Sequence, residues 1–511
     1  MEDLKTLKGE VDSIIFKSED TGFCVLMLNC DNDLITVVGE MGDVEEGEDL
    51  VVTGEFTSHQ KFGEQFKVHI FERSLPTTSA AIQRYLASGA ISGIGPVLAK
   101  KLVNKFGDDT LDIIENTPDR LTEIDGITVK KAEKISQEFK TTFAARSLMS
   151  YLNKFEIETS YGIKAWKRWG NTAEQIIKSN PYVLCIQGVD LSFSRADAVA
   201  AKSDIPADSE CRIKAGITYI LRQNADQGHT CLPLDSLVKT AVSYLDVDEK
   251  LIKKVIEDET EEENLYYYDK HGRRFVMLAD FYKAEDYIAR RLAIMRQISY
   301  DNKIDFSEVI DLEEENNGIQ YEKIQREAIN LALSKGFLVL TGGPGTGKTT
   351  TLNAIISLYQ QQGLNVMICA PTGRAAKRLS DLTGFDAKTI HRLLVKHTSG
   401  DTLAFIHDEN NLLDCDALII DEMSMVDSCL FEAVLRAISV TCKLVLVGDS
   451  DQLPSVGAGN VLKDIIDSGV MSVVTLKEIF RQAQESEIVM NAHKIVNGEH
   501  IDLASKDKDF F

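Results

Sequence analysis

At 511 residues the chain is longer than one hydrophobic core can organise, and length alone predicts about three to four domains. A composition of 44% hydrophobic and 27% charged residues excludes disorder, and no apolar run approaches the roughly 18 residues of a membrane span; the opening Met-Glu-Asp-Leu-Lys also lacks the basic-then-apolar order of a secretion signal. Nine scattered cysteines with no C-x-x-C pair speak against zinc and disulfides and for a cytoplasmic chain, while a net charge of -24 leaves nucleic acid only to locally basic surfaces.

In chain order, residues 1–75 alternate apolar and polar positions in short runs, Phe23 to Leu28, Leu34 to Val38, Leu50 to Val52 and Phe66 to Phe71, punctuated by glycines from Gly22 to Gly63. This pattern predicts a small antiparallel barrel or sandwich. Over 76–208 the period becomes helical, with short helices separated by Gly and Pro. There Gly93-Ile94-Gly95 followed by Ala99, and Gly126-Ile127-Thr128 followed by Ala132, repeat G-x-[GT]-x-x-x-A at a spacing of 33 residues. Each resembles a helix-hairpin-helix unit, in which a glycine turn and a helix start present backbone N–H groups to a DNA phosphate without reading bases. Lys100, Lys101 and Lys105 follow the first turn and Lys130, Lys131 and Lys134 the second; tight turns with small packing residues explain the pattern equally simply. A third candidate, Gly188-Val189-Asp190 with Ala196 and Asp197, has two extra residues and no second glycine.

Residues 209–311 read as helices followed by a hairpin, Tyr266 to Tyr268, the turn Lys270 to Arg273, and Phe275 to Leu278. A winged-helix-like module and a plain spacer both fit. Tyr282 to Arg296 is a candidate connecting helix, and Glu313 to Gly318 an acidic linker.

Residues 312–475 carry the chemistry. Gly342, Gly343, Pro344, Gly345, Thr346, Gly347, Lys348 and Thr349, followed by Thr350, spell G-x-x-x-x-G-K-[ST] between the apolar run Phe337 to Leu340 and a predicted helix. Glycines let backbone N–H groups close around a polyphosphate, Lys348 reaches the terminal phosphates, and the Thr349 hydroxyl suits Mg²⁺, so the loop predicts a nucleoside triphosphate. Apolar runs at Val366 to Ala370, Ala417 to Ile420, Leu444 to Val447 and Val473 to Leu476 predict a parallel α/β sheet with polar residues at its carboxyl edge. Ala417 to Ile420 delivers Asp421, able to hold Mg²⁺, and Glu422, able to polarise a water. Gln452, in Gly448 to Pro454, could sense the terminal phosphate, and Gln325 could read adenine.

In order along the chain, Gln325, the loop 342–349, Ala370-Pro371-Thr372-Gly373-Arg374-Ala375-Ala376, Thr389-Ile390-His391-Arg392, Asp421-Glu422-Met423-Ser424-Met425, Gly448 to Pro454 and Leu476-Lys477-Glu478-Ile479-Phe480-Arg481-Gln482 closely resemble RecD-like superfamily 1 DNA helicases. The resemblance, to the long form of that family, implies an OB-like barrel, a helix-hairpin-helix region, a winged-helix-like segment and a RecA-like ATPase domain. It implies ATP with Mg²⁺ as cofactors, and 5′ to 3′ translocation on single-stranded DNA, with a duplex bearing a 5′ overhang as substrate, in repair or recombination. It places Pro371, Thr372, Arg374, Thr389 and His391 on the single-strand path. It sets Lys348, Glu422, Gln452 and Arg481 to catalysis, with Arg481 on the γ-phosphate, and makes about 395–412, containing Phe405, a duplex-splitting pin. A small-molecule kinase would leave Arg374, His391 and Gln452 unexplained.

Residues 476–511 correspond to only the start of the second RecA-like domain, whose two later motifs are not in this sequence. The chain therefore reads as a C-terminally truncated helicase, with a DNA- and ATP-binding module lacking motor activity as the alternative.

Overall fold

Strands β1 (Lys5–Lys17), β2 (Phe23–Cys30), β3 (Asp33–Glu40), β4 (Asp49–His59) and β5 (Gly63–Ser74) close a barrel in the order β1-β2-β3-β5-β4. The computed structural model describes residues 5–18, 22–30, 33–41, 44–59, 63–76, 78–88, 91, 93–203, 205–298, 306–395, 405–478, 480, 485–501 and 509. Alternation drives the closure, because every second residue turns inward and Val11, Leu26, Leu28, Val37, Val52 and Phe66 fill the lumen. All pairings are antiparallel except the short β3–β5 seam, where Val37 faces Phe66.

The barrel and the helices after it belong to one unit, residues 1–216; residues 217–511 form another. In the first, three turns share one geometry. Gly93, Gly126 and Gly188 have φ of 92°, 96° and 94°, and the next residue's N–H donates back across the turn, Ile94 to Ile91 O at 3.1 Å, Ile127 to Ile124 O at 3.1 Å and Val189 to Ile186 O at 3.2 Å. A φ of this sign favours glycine, which is why the turns announce themselves in the sequence. The helices Pro96–Phe106, Val129–Asn153 and Phe193–Lys202 follow the three turns. The two extra residues in the third lengthen the path to the helix and leave the turn unchanged.

In the second unit, β7 (Leu265–Lys270) and β8 (Arg273–Leu278) form the expected hairpin through His271 and Gly272, both at positive φ; β6 (Cys231–Pro233) adds a third strand in the order β6-β8-β7. Two expectations are corrected. Glu313 to Gly318 is no linker: it ends the helix Ser307–Asn317, with Gly318 left-handed at the C-cap and Ile310 buried in the core. The connecting helix, Ala279–Gln297, is part of the core of the parallel-sheet domain, where Ile288, Leu292 and Met295 join Phe431 and Leu435. The expected boundaries at 312 and 476 fall, respectively, inside a helix and on the last residue of a strand.

The core of this unit is a parallel sheet of β9 (Phe337–Gly342), β10 (Val366–Ala370), β11 (Ala387–Thr389), β12 (Ala417–Ile420), β13 (Lys443–Gly448) and β14 (Val473–Leu476) in the order β11-β10-β12-β13-β9-β14. β9, β12 and β13 are buried along their whole length, as strands covered on both faces must be. Because all six run the same way, their carboxyl ends share one edge. Among the described residues no helix is long and apolar enough to cross a membrane.

Candidate functional site

β9 runs into the loop 342–349, and the helix Lys348–Gln361 starts directly from it. Space, not only flexibility, selects glycine here. A Cβ at Gly342 (φ 153°) would stand 2.5 Å from the Leu476 carbonyl oxygen, and one at Gly347 (φ 85°) would stand 2.6 Å from Gln325 Nε2 and from the Phe480 ring. Lys348 Nζ donates to the Gly342 carbonyl and, at 3.0 Å, to that of Gly343, while Thr346 Oγ1 donates to Gly343 O at 2.9 Å. Burial lowers the Lys348 pKa, and Asp449, Asp421 and Glu422 pull it back up. Thr349 and Thr350 lie half-buried on the first helical turn.

β12 hands the chain to Asp421 and Glu422. Burial raises both carboxyl pKa values, opposed by Lys348 and Arg378, and at Glu422 reinforced by Asp421. Glu422 sits in the left-handed region at φ 52°, a strained conformation for a residue other than glycine. β13 ends at Gly448, against the Met423 and Ser424 backbone, and continues into buried Asp449, whose Oδ1 accepts from Asp451 N at 3.0 Å. Gln452 is exposed and its N–H donates to Asp449 O at 3.2 Å. Two buried hydroxyls have no partner among the described residues, Thr341 Oγ1 just before the loop and Ser424 Oγ just after the acidic pair.

Gln325 is buried and its amide is engaged at both ends. Oε1 accepts from Glu322 N at 3.0 Å in a capping box at the start of the helix Lys323–Ser334, and Nε2 donates to Gly347 O at 3.4 Å. It lines a cavity of about 50 Å³ with Thr346, Leu476 and Phe480. That volume suits a water or two and is too small for a purine. Phe480 N donates to Gly345 O at 3.2 Å, and His493 Nε2 lies 3.1 Å from Pro344 O, so chain beyond β14 lies over the loop. Arg481 lies outside the described residues.

At the neighbouring part of the same edge, β10 leads to Pro371 and β11 to Thr389, with Ala370 opposite Thr389. Thr372 and Thr389 each cap a helix, accepting from Ala375 N at 3.2 Å and Arg392 N at 3.1 Å, which leaves exposed Arg374 and His391 as the groups facing solvent. The His391 and Phe405 rings are 5.9 Å apart, and Val395 bridges Phe405. Of the expected pin, 396–404 lies outside the described residues. Gly93, Gly95 and Gly126 belong to the other unit. Sequence reading missed Asp449 and His493 as neighbours of the loop; the one available signal was an acid placed directly after the apolar run Leu444 to Val447 and Gly448.

Four family profiles match the chain: "ATP-dependent DNA helicase YrrC, OB-fold domain" over residues 4–76, "SAM-like Helix-hairpin-helix tandem" over 84–141, "ATP-dependent RecD2 DNA helicase HHH domain" over 141–231 and "AAA domain" over 320–509. The ATP-dependent RecD2 DNA helicase of Deinococcus radiodurans is 28% identical over 96% of this chain and 70% of its own length. The RecBCD enzyme subunit RecD of Mycolicibacterium smegmatis is 36% identical over 36% of this chain and 39% of its own, and that of Mycobacterium tuberculosis 39% identical over 28% of each. The chain thus spans 70% of the first relative and well under half of the other two.

Proposed function

The chain belongs to the RecD-like superfamily 1 ATP-dependent DNA helicases, and from that premise we propose that its parallel-sheet domain is the ATP-hydrolysing lobe of a 5′ to 3′ translocase on single-stranded DNA. The observation that carries the proposal is convergence. Lys348, Asp421, Glu422 and Asp449 arrive from three strand ends and share one electrostatic neighbourhood, in which the three carboxylates favour the Lys348 cation and Lys348 favours the Glu422 anion.

Lys348 exchanges the Gly342 and Gly343 carbonyls for the terminal phosphates, and the backbone N–H groups of the loop face the same oxygens. Glu422, once ionised, orients and polarises the attacking water. The Thr349 hydroxyl and Asp421 carboxylate are hard oxygen donors of the kind Mg²⁺ takes and would hold it here. That ion supplies charge neutralisation, which suits two carboxyls whose ionisation is opposed by burial. Gln452 and Arg481 complete the phosphate contacts in this reading, and Gln325 the adenine contact. Pro371, Thr372, Arg374, Thr389, His391 and Phe405 form the strand path, and Gly93, Gly95 and Gly126 hold duplex phosphates. A substrate with a 5′ overhang and a cytoplasmic role in repair or recombination follow from the same reading.

Steady-state ATP hydrolysis with and without single-stranded DNA, with Lys348→Ala as blank, tests the site. DNA-stimulated turnover is expected wherever both lobes are present, with unwinding of 5′-tailed and not 3′-tailed duplex. Turnover undiminished by Lys348→Ala would overturn the assignment. ATP and DNA binding without turnover in this chain would leave the binding-module reading.

A further inference from the structure

The opposite edge of the sheet carries chemistry that the ATPase does not use. Cys415 stands two residues before β12 and Cys442 one residue before β13, and these strands pair in parallel with Ala417 opposite Lys443. The two sulfurs are 3.7 Å apart, where either thiol can donate to the other, and Cys442 Sγ also lies 3.7 Å from Lys443 O, an acceptor that shares its single proton. Both cysteines line a cavity of about 680 Å³, together with Phe306, Leu364, Asp416 and Lys443, from which half-buried Cys415 is open to a solute while Cys442 is buried behind it. Lys443 Nζ donates to Leu333 O at 2.8 Å, and burial lowers its pKa to about 8.

The two thiols are not equivalent. The hydrogen bond from Cys442 holds the Cys415 thiol below its ordinary range, against burial and the Asp416 and Asp414 carboxylates. The same bond and burial push Cys442 up. Cys429, the exposed cysteine, is pushed up to about 11 by burial of its sulfur and by Asp427. Exposure and thiolate character therefore point to different cysteines, and the thiolate is the nucleophile.

We propose that Cys415 and Cys442 are a hydroperoxide-responsive dithiol, a modification site in which Cys415 is oxidised first and Cys442 resolves it. The Cys415 thiolate attacks a peroxide oxygen, the O–O bond breaks, and hydroxide or alkoxide leaves and takes a proton, giving Cys415 sulfenic acid. The Cys442 sulfur then attacks the Cys415 sulfur, the S–O bond breaks, and water leaves with the Cys442 proton. Two thiols lose two electrons and one hydroperoxide gains them. Closing the sulfurs from 3.7 Å to a bond of about 2.05 Å needs only a small shift of two segments that lie just outside the strands. The product staples the two strands whose far ends carry Asp421 with Glu422 and Asp449.

The test is exposure of the reduced chain to hydrogen peroxide at neutral pH, followed by iodoacetamide and a peptide map by mass spectrometry. The expected result is a dithiothreitol-reversible peptide joining Cys415 to Cys442, with Cys415 consumed at least about tenfold faster than Cys429. In Cys442→Ser, dimedone should capture Cys415 as the sulfenic acid. Should that variant fold poorly, the wild-type time course decides alone. Alkylation of both cysteines after Cys429 has been oxidised, or passage of Cys415 to sulfinic acid with no link, overturns the proposal.

Discussion

Lys348 holds its own loop through the Gly342 and Gly343 carbonyls, so Lys348→Ala removes the cation proposed to meet the phosphates and should leave the strand-loop-helix frame standing. Hydrolysis should vanish in a chain with both lobes while the far-ultraviolet circular dichroism is unchanged. Glu422→Gln should still bind ATP, with turnover at least about a hundredfold lower, since general-base assistance contributes 10²–10⁴; single-turnover kinetics read both. Burial raises the Glu422 pKa, so the acidic limb of the rate profile should lie above the ordinary carboxylate range, with activity gained as pH rises through it. Stability runs the other way. A carboxyl that holds its proton more tightly when folded favours the folded state below its unfolded pKa, and that advantage is lost as pH rises through the folded value. Asp421→Asn should therefore raise the thermal midpoint of the nucleotide-free chain near neutral pH, by about 2–4 °C if about 1 kcal/mol is relieved. A lower midpoint would mean that Lys348 depends on this carboxylate. At this scale the loop, Asp421 and Glu422 were legible because their spacing is fixed by backbone geometry. The closeness of Arg378, which appears only as a charge acting on all three, was not, because it depends on how one helix lies against the sheet.

The three glycine turns show how far local pattern carries an element. Two were legible from a seven-residue motif, and the third was obscured by two inserted residues although its hydrogen bond is the same. Lys130→Glu with Lys131→Glu, on the helix whose start is capped by Thr128, should weaken duplex binding and lower the salt slope by about one to two counterions, measured by anisotropy across salt concentrations. Unchanged slope would return these lysines to solvated helix face. Gln325→Ala removes both a helix cap and a tie to Gly347. It should cost about 1 kcal/mol in stability and raise KM for ATP more than it lowers kcat; a fall in kcat alone would sink the binding role. The acidic stretch before this helix misled because polarity resembles a linker, whereas Glu314 and Asp311 pair with Arg326 and Ile310 points inward.

For the whole molecule, composition and period separated a β region, a helical region and an α/β region, and the expected strands of the ATPase sheet fall on observed ones. What period could not reveal is membership. The helix Ala279–Gln297 looks like a connector in sequence and is buried against the sheet's helices, because partners more than a hundred residues away decide where its apolar stripe goes. The same remoteness marks β9. Its neighbours are β13 and β14, with Leu444 beside Phe337 and Leu476 beside Gly342. As the chain leaves the ribosome, the strand that leads to the phosphate loop therefore waits, both edges open, until nearly all of the domain has been made. A largely apolar segment held unpaired for so long is a site for association with other chains, and its rescue depends on a four-residue strand at the very end of the sheet. Synthesis stalled or cut before Val473 should yield aggregate, and synthesis carried past Leu476 a folded lobe, so the last strand acts as a completion signal for the whole domain.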